Sequence, residues 1–199
     1  MQSLNLQKLK LILASTSTYR SNLLSRLGIP FECVDPGVNE EKIKTGGFSP
    51  RTLCEKLALL KASTVYKSRA NSLVIGGDQM VNLEGEILGK PETPDVAILQ
   101  LMKMSGKVHE LVTSTALVDE DGEFIFTDIA RLRMRALSQN EIERYVDADR
   151  PLNCAGSYKL ETMGIALFDS IECQDHTAIV GLPLLKLAGY LRKKGFQIP

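Results

Sequence analysis

Residues 9–31 read LKLILASTSTYRSNLLSRLGIPF. The apolar run 9–14 has the character of a buried strand, and 19–27 alternates like an amphipathic helix closed by Gly28. Between them lie four small hydroxyl residues, Ser15-Thr16-Ser17-Thr18, and then Tyr19 and Arg20. A strand that turns directly into a helix is the opening unit of an α/β fold. It also presents the free N–H groups and positive end of a helix dipole at the carboxyl end of a strand, a place suited to an anion. Ser15, Thr16 and Ser17 can donate from their hydroxyls there, and Arg20 supplies a planar fork for phosphate. The glycines and terminal Lys-Ser/Thr of a Walker loop are missing. The same residues also suit an ordinary Ser/Thr helix cap.

Further along, PFECVDP (30–36) suggests a second strand, and the polar segment 37–48 with Gly46-Gly47 reads as a mobile loop. Ser49 and Pro50 open a long helix whose apolar stripe runs through Leu53, Leu57, Leu60 and Thr64, bordered by Lys61. SLVIGGDQMV (72–81) is β-rich and leads to a hairpin around Glu84-Gly85. Thr93-Pro94 starts a helix ended by Ser105-Gly106. The runs 107–118 and 123–135 form an antiparallel hairpin through DEDGE. Ser138 and Glu141 make a capping box for a helix over 139–148. AGSYKLETMGIALFD is a glycine-punctuated loop and strand, and LPLLKLAGYLRKKG closes the chain as an amphipathic helix. The pattern predicts one α/β domain over residues 1–199, with an extended mixed β-sheet flanked by helices in two lobes around a central cleft.

Composition narrows the functional class. Lys+Arg and Asp+Glu balance at 24 each, so no overall field favours a nucleic-acid polymer or a membrane surface. No apolar run has the length of a membrane span, and MQSLNLQKLK lacks a leader's apolar core. A cytoplasmic protein is expected. The four cysteines show no CxxC spacing and there are two histidines, which argues against zinc and for reduced thiols.

Several polar residues have the character of a site. Asp78 follows a buried β run, where an acid commonly projects into a ligand crevice; it suits a metal ligand, a general base or a turn aspartate. Glu40 and Glu41 offer a further carboxylate for a divalent cation, or simply solvated charge. Lys90 sits in a stiff turn between Gly89 and Pro91. Lys61 either snorkels to water or reaches into the cleft. Cys154 with His176 is a weaker nucleophile–base pair, because nothing beside Cys154 activates a thiolate. His109 reads as a satisfied strand histidine. Cations together with acids and a helix N-terminus are what a metal-bound polyphosphate requires.

The blocks LILASTSTYRSNLLSRLG, VDPGVNEE, LALLKA, GGDQ, GKPET, CAGSYKLETMGIALFD and IVGLPLLKL resemble, in order and spacing, the signatures of the Maf nucleotide pyrophosphatases. The resemblance spans nearly the whole chain. It implies hydrolysis of a nucleoside triphosphate between its α- and β-phosphates, a required divalent metal (Mg2+ or Mn2+), a fold shared with inosine triphosphatases, and commonly a homodimer. By position, it implies Asp78 as the proton acceptor for water and Ser15, Thr16, Ser17, Arg20, Lys61 and Lys90 as phosphate ligands. Glu40 and Asp78 are the implied metal contacts. Two departures stand out: Ser21 replaces the family's second arginine, and Asn39-Glu40 replaces an Asp-Glu pair. Tyr19, Gln79 and Glu161 are most similar to the members acting on 7-methyl-GTP. An N7-methylated guanine is cationic, so the Tyr19 ring would attract it by about 0.5–2 kcal/mol. Glu161 would accept from N1–H and the exocyclic amine, and Gln79 would add an amide contact. Other readings are a UTP or dTTP pyrophosphatase and a non-catalytic nucleotide-binding regulator of cell division.

Overall fold

A computed structural model describes residues 9–198 of the chain. The segment MQSLNLQK, read above for a leader, lies outside the described residues. Seven strands form one mixed sheet: β1 (Lys10–Ala14), β2 (Glu32–Cys33), β3 (Ser72–Leu83), β4 (Glu86–Leu88), β5 (Val108–Asp119), β6 (Gly122–Met134) and β7 (Phe168–Glu172). Their order is β2-β1-β3-β5-β6-β7, with β4 also on β3. β1 runs parallel to β2 and β3, and every other pairing is antiparallel. The helices are α1 (Thr18–Ser25), α2 (Glu41–Lys44), α3 (Pro50–Tyr66), α4 (Pro94–Met104), α5 (Gln139–Asp149), α6 (His176–Val180) and α7 (Leu184–Lys193).

The expected α/β architecture is present, with local differences. The second strand is cut to two residues, because Pro30 and Pro36 remove ladder donors at both ends of the segment. The polar stretch 37–48 contains the turn α2, and the chain after β7 contains α6. On α3 the buried stripe is Leu53, Cys54, Leu57, Ala58, Ala62 and Val65, so it is rotated away from Leu60 and Thr64. That rotation puts Lys61 in line with the stripe, one turn beyond Leu57.

Two features of β3 shape the molecule. β1 pairs with residues 72–76 and β4 with 81–83, both on the edge opposite β5. Residues 77–80 therefore have no strand partner on that edge, which leaves a slot in the sheet at the carboxyl end of β1. The apolar core divides accordingly. One cluster joins the far half of β3 to α4 and α5, and others join β1 and the near half of β3 to α1, α3 and α7.

The second feature is the glycine pair. A Cβ on Gly76 would collide with the Ala58 carbonyl oxygen and lie 2.7 Å from the Ala62 nitrogen, so α3 rests directly on the β3 backbone. Side chains alternate across a strand, so Asp78 shares the α3 face with Gly76, while Gly77 and Gln79 face the other way.

Gly76→Ala should destabilise the fold by about 1–3 kcal/mol, because the helix must move off the sheet. Gly189→Ala in α7, where an added Cβ meets open space, should instead stabilise by about 0.5–1 kcal/mol. Urea unfolding midpoints of the two variants check the contrast.

Candidate active site

Two adjoining clefts of about 630 and 520 Å³ open at the slot. They share Ser17, Tyr19, Arg20, Glu40, Lys61 and Lys90. Asp78, Gln79 and Glu161 line the larger, and Ser15 and Thr16 the smaller. The eleven residues that the resemblance assigned thus border one continuous depression, while Glu41, His109 and His176 line neither cleft. Arg20 and Asp78 come from α1 and β3 and line the same cleft, Asp78 on the α3 face of β3 and Arg20 across Gly77 on the other.

The cleft holds a carboxylate–ammonium–carboxylate chain. Lys61 Nζ donates to Asp78 Oδ1 at 2.7 Å and lies 2.8 Å from Glu40 Oε1. The side chains of Lys61 and Asp78 are each only 12% exposed, so the pair is held mostly away from bulk water, where its attraction is stronger. Glu40 Oε2 meets Lys44 of α2 at 3.2 Å. Burial pushes the Glu40 carboxyl up, but hydrogen bonds from Lys61 and Lys44 outweigh it and hold the group below the usual carboxylate range. Among the described residues, Asp78 Oδ2 has no hydrogen-bond partner, and Asp78 lines the larger cleft.

The hydroxyl loop does two jobs that the sequence left open. Ser17 is the N-cap of α1, accepting from the Arg20 backbone N–H at 3.5 Å. Buried Ser15 accepts from Ser17 N at 3.2 Å and from Arg20 Nη1 at 3.5 Å, while Thr16 stays exposed. Arg20 Nε donates to the Gly181 carbonyl at 3.0 Å, and its stem crosses Gly77, where any Cβ would press on it. Lys90 is exposed and unpaired among the described residues, so its ammonium is available to a ligand.

Also bordering both clefts, Tyr19 lies 4.0 Å from Cys154 through Oη and Sγ, with Glu161 close enough to act on both electrostatically. Burial first, then Cys154 and Glu161, raise the Tyr19 phenol to about 12. It is neutral at any physiological pH and offers an uncharged aromatic face. Burial also pushes the Cys154 thiol up. Its polar neighbour is Tyr19 and not the exposed His176, so the cysteine–histidine pair does not form. His109 is half-satisfied: Nε2 meets Tyr158 Oη at 3.1 Å, and Nδ1 has no partner among the described residues.

Gln79 is placed differently from an open amide. Its Nε2 donates to Thr113 Oγ1 at 2.8 Å, Ala178 O at 2.9 Å and Ile179 O at 3.1 Å. Sequence reasoning missed Thr113, Gly181, Lys44 and all of α6. Asp175 caps Thr177 N, and Gly181 ends that helix with φ +118°, so the D-x-T start and the glycine stop were readable signals. Thr113 had none, since only the register sets it opposite Gln79.

A family model described as Maf-like protein matches residues 10–194. The chain belongs to the Maf family. This Maf chain is 52% identical to the 7-methyl-GTP pyrophosphatase of Bdellovibrio bacteriovorus over 92% of its own length and 95% of that protein's. It is 47% identical to that of Xanthomonas axonopodis (96% and 99% covered) and 43% identical to that of Pseudomonas aeruginosa (95% and 98%). Among solved structures, a HAM1 protein from Coxiella burnetii shares the fold, with a TM-score of 0.53 and 14% identity over 93% of the Maf chain and 99% of the other.

Because the folded Glu40 carboxyl lies below its ordinary value, its stabilising contribution is complete above that value and is lost as pH falls through the folded one. Lys61→Met removes the main partner and should flatten this acid arm. Urea midpoints from neutral pH down through the carboxylate range give the comparison.

Proposed function

We propose that the chain hydrolyses 7-methyl-GTP to 7-methyl-GMP and pyrophosphate. The observation that carries the reading is the convergence of Asp78, Lys61, Glu40 and Arg20 on one cleft, with Tyr19 and Glu161 bordering the same cleft. The chemistry of that set, two acids among cations, suits a polyphosphate bound with a cation. The relatives' names supply the substrate, and the neutral Tyr19 ring beside a carboxylate is the surface a cationic purine would choose.

The residues present also fit a divalent cation. Among the described residues no three His, Cys, Asp or Glu side chains cluster to hold a metal by themselves. Glu40 and Asp78 are oxygen donors on one wall, as Mg2+ requires when substrate phosphates complete its shell. Glu40 and Asp78 would hold Mg2+ or Mn2+, which when bound would neutralise charge on the phosphates.

In the reaction, the triphosphate lies along Ser15–Ser17, Arg20, Lys61 and Lys90. Asp78 takes a proton from water as the water oxygen bonds to the α-phosphorus. The bond from that phosphorus to the bridging oxygen breaks, and pyrophosphate departs with the electron pair. Lys61 fixes the Asp78 carboxylate through Oδ1, leaving Oδ2 as the proton acceptor. Arg20 and Lys90 stabilise the charge that grows on the leaving group. Four unpaired cysteines fit a reducing, cytoplasmic setting. No helix among the described residues is long and apolar enough to cross a membrane. A homodimer remains part of the proposal.

A pyrophosphate-release screen of 7-methyl-GTP, GTP, UTP and dTTP, with and without magnesium, tests the reading. The methylated purine should be preferred and magnesium required. A chain that binds these nucleotides and leaves them intact would be a regulator instead. Asp78→Asn should lower kcat by about 10²–10⁴-fold with little change in affinity. Tyr19→Ala should raise KM for 7-methyl-GTP more than for UTP, by about 2- to 30-fold.

A further inference from the structure

We infer that Gln79, with Thr113 and the last turn of α6, is a strut that sets the direction of Arg20. The inference rests on Arg20 being a phosphate ligand, as proposed above.

The hydrogen bonds decide the amide's orientation. Ala178 O and Ile179 O can only accept, so the nitrogen of the Gln79 amide must face them. Its two N–H groups are committed to those carbonyls and to Thr113 Oγ1. Thr113 is 1% exposed and its hydroxyl donates in turn to Ala178 O at 2.9 Å. One proton and one lone pair of that hydroxyl are thereby used, and β3, β5 and α6 are tied at one point.

The tie continues into the site. The segment so anchored ends at Gly181, in a left-handed conformation that orients its carbonyl. That carbonyl accepts from Arg20 Nε at 3.0 Å. The guanidinium is therefore fixed through Nε, while Nη1 leans on Ser15 and the rest of the fork faces the cleft. Gln79 Oε1 would lie 3.9 Å from a Cβ on Gly181, and Arg20 Nε 3.7 Å from it, so the three groups form one packed corner.

The consequence is specific: removing the strut should weaken binding of a ligand that has no base at all. Thr113→Val keeps the volume and deletes the hydroxyl, Thr113→Ser keeps the hydroxyl, and Gln79→Met keeps the length and deletes the donors. The probe is inorganic pyrophosphate, titrated by calorimetry into the full chain. Thr113→Val and Gln79→Met should each raise its Kd about tenfold, the scale of one disturbed charge-assisted hydrogen bond. Thr113→Ser should stay within about twofold of wild type. In an Arg20→Lys background, which lacks the Nε fork, Thr113→Val should cost less than about twofold. Wild-type affinity in both Thr113→Val and Gln79→Met, or an undiminished loss in the Arg20→Lys background, overturns the strut while leaving the phosphate cleft standing. A wild-type chain that does not bind pyrophosphate overturns the phosphate assignment itself, and the strut with it. Should Thr113→Val not fold, Gln79→Met alone and in the Arg20→Lys background decides the matter.

Discussion

The contact on which the rest depends is the bare approach of α3 to β3 at Gly76. With no side chain between them, the helix backbone lies on the strand, and Lys61 is carried over Asp78, two residues further along the same face. A helix held at the ordinary distance by an intervening side chain would lift the ammonium away from the carboxylate. Lys61 would then be a surface lysine, and Asp78 a buried acid without a counter-charge, a costly arrangement. The glycine thus trades strand stability for an ion pair in a mostly dry groove.

The slot in the sheet is the second half of the same design. β1 stops at the partner of Gly76 and β4 ends at the partner of Val81, so the middle of β3 has one free edge. Four consecutive residues of a rigid strand can then serve a cleft on both faces. Asp78 and its lysine work on one face. Gly77 and Gln79 work on the other, where Arg20 passes and α6 is pinned. Two chemically distinct tasks are served by one strand because side chains alternate.

Around that strand the polar network is arranged so that few buried charges stand alone. Glu40 is shared by Lys61 and Lys44, and Arg20 is braced by Gly181 and Ser15. Lys90, exposed and unpaired among the described residues, lines both clefts. Tyr19 and Cys154 form a neutral, apolar corner beside Glu161.

Much of this was legible in the sequence. The opening strand–loop–helix, the capped helix at Ser49-Pro50, the long hairpin over DEDGE and the capping box at Ser138 are local, carried by periodicity and by residues whose backbone chemistry permits little else. The residues of the cleft were readable as types, an acid after a strand and cations beside glycines. What local chemistry could not supply was register and rotation. Thr113 opposes Gln79 only because β5 pairs with β3 in one register, and a slip of one residue would turn that hydroxyl to the other face. The α3 stripe turned from Leu60 toward Ala58 and Ala62 because the helix packs on glycine, a contact with a strand made of later residues. α2 and α6 are too short to be stable by themselves, and they exist because Lys61, Gln79 and Thr113 hold their ends. The sequence by itself determined which elements form and which side chains are chemically fit for the task. Only the tertiary structure decided which of them touch, because burial and hydrogen bonding between distant segments outweigh the preferences of any one segment.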